Sequence, residues 1–241
     1  MNKKKIILLS LSFFGMLTTA FAQKVKQDAS LSFGFGSNQF TTALQYQHIW
    51  LLGKKKKFGI GTGARLTNSF GNKNYFTTAP AKLTTGKSGP GVFFGNDLVQ
   101  NIDSVFFPKT QINALNATIN FTYDITSKIK VGFNIDAIGF SFGGSKQGTF
   151  LPNAGIAPVA VTAKPTGFNA LLISDNDLGS LNSEFYGQYS INKKFAAKLG
   201  FQFLFNEYTT NTKIQTTPTG DKNDRFRYKS GGVTIGAVYS F

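Results

Sequence analysis

The chain has no cysteine among its 241 residues. That excludes a disulfide framework, a thiolate metal site and a lipid-modified cysteine at an export cleavage site. It has one histidine, which argues against a histidine metal centre. Acidic residues are scarce: 11 Asp and Glu stand against 26 Lys and Arg, and charges of both signs make up only 15 % of the chain. Long apolar runs are missing too, apart from one near the start. After Ala22 nothing approaches the roughly 20 apolar residues that a spanning helix needs.

What is abundant is phenylalanine and glycine, 26 of each. With the many Asn and Thr, this bias favours strands and turns over helices. The start, MNKKKIILLSLSFFGMLTTAFA, sets three lysines before an apolar run that ends in Ala20-Phe21-Ala22. It predicts a cleaved signal peptide over 1–22 and one exported domain over 23–241. The formal charge of +15 falls to +12 once the three leader lysines are removed. An exported basic chain seldom meets nucleic acid, so an anionic membrane surface is the expected partner.

The mature chain is dominated by period-two alternation, the mark of strands. Eight segments carry it: about 28–36, 39–52, 57–69, 111–125, 129–143, 179–191, 195–209 and from about 228 to the end. In the third, Phe58, Ile60, Thr62, Ala64 and Leu66 alternate with Gly59, Gly61, Gly63, Arg65 and Thr67. In the fifth the apolar phase slips from Ile135 and Ala137 to Ile138 and Phe140, which predicts a bulge near Ala137–Gly139. The last places Val233, Ile235, Ala237, Tyr239 and Phe241 on one face, with Thr234, Gly236, Val238 and Ser240 on the other.

The connections alternate in length. Ser37-Asn38, GKKKK (53–57), TSK (126–128) and NKK (192–194) are tight, whereas 70–110, 144–178 and 210–227 are long or intermediate. After the first hairpin every second connection is short, as in an outer-membrane barrel with short periplasmic turns and long outer loops. Three features favour a membrane barrel over a soluble sandwich. The segments run about 10–14 residues, enough for a tilted strand to cross a bilayer. The polar faces of the first and third are rich in Gly and Ser, as in a crowded lumen. Aromatics recur at the two expected water–lipid borders: Trp50, Phe58, Tyr123, Tyr189, Phe195, Tyr239 and Phe241 at one, Phe40, Phe70, Phe142 and Phe205 at the other. The expected fold is all-β, an eight-stranded antiparallel up-and-down transmembrane β-barrel with long extracellular loops.

The leader, the eight alternating segments and the AVYSF terminus resemble the small outer-membrane β-barrel proteins of Gram-negative bacteria. The Asn/Lys/Phe-rich composition is most similar to the Bacteroidota outer-membrane β-barrel domain family. The resemblance covers essentially the whole mature chain and specifies architecture rather than activity. It implies that Tyr239 and Phe241 form the terminal signal by which the barrel-assembly machinery recognises its client.

Few charges point inward: Arg65, Lys130, Asp136, Glu184 and Lys198. Two neighbouring carboxylates repel unless a cation lies between them, so these five are read as a structural salt-bridge network that fills the lumen. A gate or small-solute site is the sharper reading of the same residues. His48 sits beside Trp50 on the lipid-facing side with no evident serine partner, which argues against a lipid-cleaving enzyme. The glycines of GIGTG lack the Lys-Ser/Thr and helix of a phosphate loop. The apolar patches Val92-Phe93-Phe94 and Val105-Phe106-Phe107 are read as strand extensions above the membrane or as a cap over the lumen. No enzyme activity, cofactor or metal is expected. The expected partners are outer-membrane lipids, the assembly machinery and an unidentified extracellular ligand, the protein being a monomer. The leading role is structural or surface-interacting, followed by narrow transport or small-ligand binding, then by an accessory barrel of a protein secretion system.

Overall fold

The computed structural model describes residues 24–153, 155–172 and 176–241. The expected signal peptide, 1–22, lies outside the described residues. Thirteen strands form among the described residues: β1 (Val25–Gly36), β2 (Gln39–Leu52), β3 (Phe58–Thr78), β4 (Ser104–Asp124), β5 (Ile129–Phe142), β6 (Lys146–Leu151), β7 (Val159–Pro165), β8 (Phe168–Ala170), β9 (Leu181–Ser190), β10 (Phe195–Thr210), β11 (Gln215–Thr216), β12 (Lys222–Asn223) and β13 (Arg225–Ser240). One short helix, α1 (Ala81–Thr85), follows β3.

A ladder of antiparallel pairs runs β1–β2–β3–β4–β5–β9–β10–β13. It closes where β13 pairs with β1, with Leu31 opposite Ala237 and Phe33 opposite Ile235. The result is a closed antiparallel β-barrel, in which every strand edge within the ring is paired. The turns 53–57, 125–128 and 191–194 all lie at one end, called the lower end here. Their local chemistry explains their tightness. Thr126 Oγ1 accepts from the backbone N–H groups of Lys128 and Ile129 at 3.1 and 3.0 Å. Asn192 Oδ1 accepts from Lys194 and Phe195, both at 2.8 Å.

At the other end, part of the expected long loops is strand. The segments 70–110 and 144–178 contain the upper parts of β3 and β4 together with β6, β7 and β8. The β1–β2 hairpin is short, and above it β13 meets β3 directly, Phe226 facing Thr78. The β6–β7 hairpin bridges β4 to β10. These pairings close a second ring of six strands, β3–β4–β6–β7–β10–β13, on top of the first. The long connections therefore contribute in part to the wall, while residues 79–103 between β3 and β4 lie outside the strands.

The two storeys are opposite in polarity. In the lower one the interior is polar and the exterior apolar: Arg65 is 1 % exposed, whereas Leu199 is 62 % exposed. The upper one encloses an apolar core of Phe76, Val105, Phe107, Ile112, Phe150, Val161, Ala163, Tyr208 and Phe226. Its rings pack closely, with Phe76–Phe107 centroids 5.3 Å apart and Phe107–Tyr208 centroids 4.9 Å apart. Its outer wall carries exposed Lys73, Thr77, Lys109, Lys164 and Lys229.

The switch between storeys is built into the backbone. On β3 the buried positions are odd-numbered through Ser69 and even-numbered from Asn74. On β4 they are odd through Phe107 and even from Thr110. At the slip, Asn72 and Lys73 are both exposed, as are Pro108 and Lys109, and Lys73 takes φ 54°. A one-residue slip of the pleat sends every later side chain to the other face. Alternation taken in a single phase therefore ends near these residues, although the strands themselves continue.

Candidate functional site in the barrel lumen

The lower lumen is filled by a polar network that draws on seven of the eight wall strands. Its centre is Arg65 on β3. The guanidinium donates to Asp136 Oδ1 through Nε at 2.9 Å and Nη2 at 2.6 Å. It also donates to the Asn134 side chain and the Asn182 carbonyl. The other oxygen of Asp136 accepts from Asn116 Nδ2 and from the Asn182 backbone, both at 2.8 Å. Beside this pair, Lys198 Nζ lies 2.9 Å from Glu184 Oε2, and Thr234 donates to Glu184 Oε1 at 2.7 Å. Asn134 links the two pairs through Glu184 Oε2 at 3.3 Å, and Gln45 ties in Asn120 at 3.1 Å.

A bulge makes the arrangement possible. The β4–β5 register shifts between Ala117 and Thr118, leaving Ala137 as the extra residue next to Asp136. The slip of apolar phase near Ala137–Gly139 was the signal for it. Two cations and two carboxylates balance, so a densely hydrogen-bonded layer of no net charge spans the lumen. Buried ion pairs are retained only with such extra bonds, because desolvation otherwise outweighs their attraction.

The lumen has almost no free space at this level. The cavity among Ser32, Thr41, Arg65, Glu184, Lys198 and Gln202 has a volume of about 10 Å³. A single water needs about that much room. Nearer the lower end the interior turns apolar at Ile49, Leu51, Tyr186, Ala196 and Val238, all buried. Glycines admit these side chains. A Cβ at Gly61 would collide with the His48 carbonyl oxygen and lie 2.8 Å from Ile49 Cδ1, and one at Gly132 would run into the Tyr186 ring. Above, the core of the upper storey completes the closure.

The sequence-predicted charges are not all in one place. Arg65, Asp136, Glu184 and Lys198 meet in the network just described. Lys130 does not join it; its ammonium pairs with Asp28 at 3.2 Å, at the lower mouth. Asp28 was missed, though it falls in the polar phase of the first segment, at 5 % exposure. A second ionic cluster was missed altogether. Glu207, fully buried, accepts from Arg225 Nε at 2.7 Å and from Arg227 Nη2 at 2.8 Å, on the upper wall between β10 and β13. Its arginines lie at the border of a segment that reads as loop, so nothing in the sequence pairs them with Glu207.

The aromatics fall at the lower rim. Phe58 pairs with Tyr123, Phe195 with Tyr239, and Tyr189 with Ile129. Trp50 stands 5.0 Å from the His48 ring, whose Nδ1 is 3.3 Å from Gln27 Nε2. Phe241 packs on Tyr239 at 5.2 Å, and its backbone N–H reaches the Gln27 carbonyl at 3.0 Å.

No protein-family model matches the chain, and no curated protein matches it in sequence. Among solved structures it is similar to a major outer membrane protein from Thermus thermophilus, at 12 % identity and a TM-score of 0.42, covering 90 % of this chain and all of that one. Neisserial surface protein A is similar at 10 % identity and a TM-score of 0.34, covering 90 % and 96 %. Ail, the attachment invasion locus protein of Yersinia pestis, is similar at 10 % identity and a TM-score of 0.32, again covering 90 % and 96 %. The likeness is one of weakly similar barrels and carries nothing about the role of this chain.

Proposed function

We propose that the chain is an outer-membrane barrel of the Bacteroidota type, with a structural or surface-interacting role exercised through its upper storey. The observation that carries this reading is the polarity inversion. Exposed large apolar side chains cover the lower wall on all sides, which water does not tolerate over so large a contiguous area. Above the slip at Lys73 and Pro108–Lys109 the wall turns more polar, with exposed Lys73, Lys109, Lys164 and Lys229 beside Tyr75 and Val159. The distance fits as well. From Phe58 to Phe70 along β3 is about 12 residues, or roughly 40 Å at about 3.3 Å each. Tilted by about 40°, that rises roughly 30 Å, the thickness of a bilayer core.

In this reading the eight-strand ring is the transmembrane part, the turns are periplasmic and the upper ring is a rigid platform outside the cell. The filled lumen supports a platform over a channel. Transport is therefore second, and an accessory role in secretion third. Catalysis is not proposed: the contacts of the His48 ring are with Gln27 and Trp50.

Two measurements test the reading together. The protein is expected in the outer-membrane fraction with heat-modifiable gel mobility, and without steady conductance in planar bilayers. A soluble periplasmic product, or a large stable channel, would sink it. A lipid-hydrolysis activity lost on His48→Ala would overturn the non-enzymatic assignment.

A further inference from the structure

The lower mouth of the barrel holds a cavity of about 650 Å³. That is within the range of small-molecule sites. The walls come from the start of β1, the 125–128 and 191–194 turns, and the ends of β9 and β13. Five lysines line it against two aspartates. The aspartates are already engaged: Asp124 accepts from Lys26 at 2.7 Å, and Asp28 from Lys130 at 3.2 Å and Ser240 at 2.6 Å. The remaining three, Lys24, Lys128 and Lys193, have no carboxylate partner among the described residues, and they stand on three separate elements around one space.

We propose that this mouth is a binding site for a phosphate-bearing ligand. The side chains of the lower rim hold an excess of three positive charges around a shared, open volume, and the two ion pairs at its wall hold Lys26 and Lys130 in place beside it. All its cations are lysines. Lysine presents a compact point charge on a flexible stem and binds phosphate in that form, and several such charges around one volume match the multiple negative charge of a phosphate better than the single charge of a carboxylate. The cavity is much larger than one phosphate, and exposed Val25, Ile129, Ile191 and Phe241 also reach it. A phospholipid head group and a soluble phosphate ester both satisfy this chemistry. The charge asymmetry is a property of the mouth itself and stands whether or not the upper storey acts as a surface platform.

The test uses the protein in phosphatidylcholine nanodiscs, titrated with inorganic pyrophosphate in a calorimeter at low salt. Saturable binding is expected, weakening as ionic strength rises. With roughly fivefold lost per lysine at an anionic contact, the triple variant Lys24→Gln/Lys128→Gln/Lys193→Gln is expected to bind about a hundredfold more weakly. The matched variant Lys54→Gln/Lys55→Gln/Lys56→Gln removes the same charge from a turn outside the cavity and is expected to lose less than fivefold. Heat-modifiable mobility checks that both variants are folded. Weaker pyrophosphate binding in phosphatidylglycerol nanodiscs identifies a lipid head group as the competing occupant, and equal binding identifies a soluble phosphate ester; both support the site. Absence of saturable binding in phosphatidylcholine discs, or equal loss in the two triple variants, overturns it.

Discussion

Replacing Asp136 with asparagine is expected to be among the most costly single changes in the lower barrel. Arg65 and Asp136 are each only 1 % exposed. Removing the carboxylate charge leaves a buried guanidinium without its counter-charge, which typically costs about 3–5 kcal/mol. Asparagine also cannot copy the hydrogen bonds. One oxygen of Asp136 accepts from Arg65, and the other accepts from two donors, Asn116 Nδ2 and the Asn182 N–H. Either orientation of the amide therefore points an N–H₂ group at existing donors. Arg65→Met is expected to cost a similar amount, because it strands the carboxylate. The double variant leaves no bare charge, so the two costs are expected to fall short of adding by about 3 kcal/mol, the coupling of groups in one network. Trp50, the only tryptophan, reports urea unfolding in lipid vesicles. At a slope of about 2 kcal/mol per molar urea, each single variant is expected to shift the midpoint down by roughly 2 M. Single costs below about 1 kcal/mol that simply add would refute the reasoning. They would mean that water screens the pair, as it screens surface ion pairs, and that the lumen is open.

Three further outcomes are expected. Phe107→Ala removes a fully buried ring from the upper core; it should cost about 3–5 kcal/mol, and limited proteolysis should cut the β6–β7 region first while the lower barrel keeps its heat-modifiable mobility. Gly61→Val places a side chain against the His48 carbonyl and Ile49, an overpacking worth about 1–3 kcal/mol, read from the same urea titration. Deleting Phe241, 73 % exposed at the lower rim, should slow assembly in cells far more than it speeds unfolding of barrels already formed. Equal effects in pulse-chase and unfolding rates would contradict a role in assembly.

Much of the lower storey could be read in advance because a strand in a barrel wall has two different environments, and alternation records both. The phase at Val233 to Phe241, the bulge at Ala137 and the turns at 126–128 and 192–194 are all local, each set by a few consecutive residues. Arg65, Asp136, Glu184 and Lys198 were identifiable as inward charges for the same reason. Their partners were not. Which oxygen faces Arg65, and that Lys130 turns to Asp28, depends on strand stagger around a closed ring, a property of all the strands at once. The upper storey was hidden for a different reason. Its alternation is intact, but the pleat slips at Lys73 and at Pro108–Lys109, so apolar residues that faced out below face in above. Sequence by itself determined the alternation and the turns, because those arise between near neighbours. Only the tertiary structure decided that 70–110 and 144–178 build a second ring, because that ring exists through pairings such as Phe226 with Thr78 and Tyr208 with Pro165, between residues far apart in the chain.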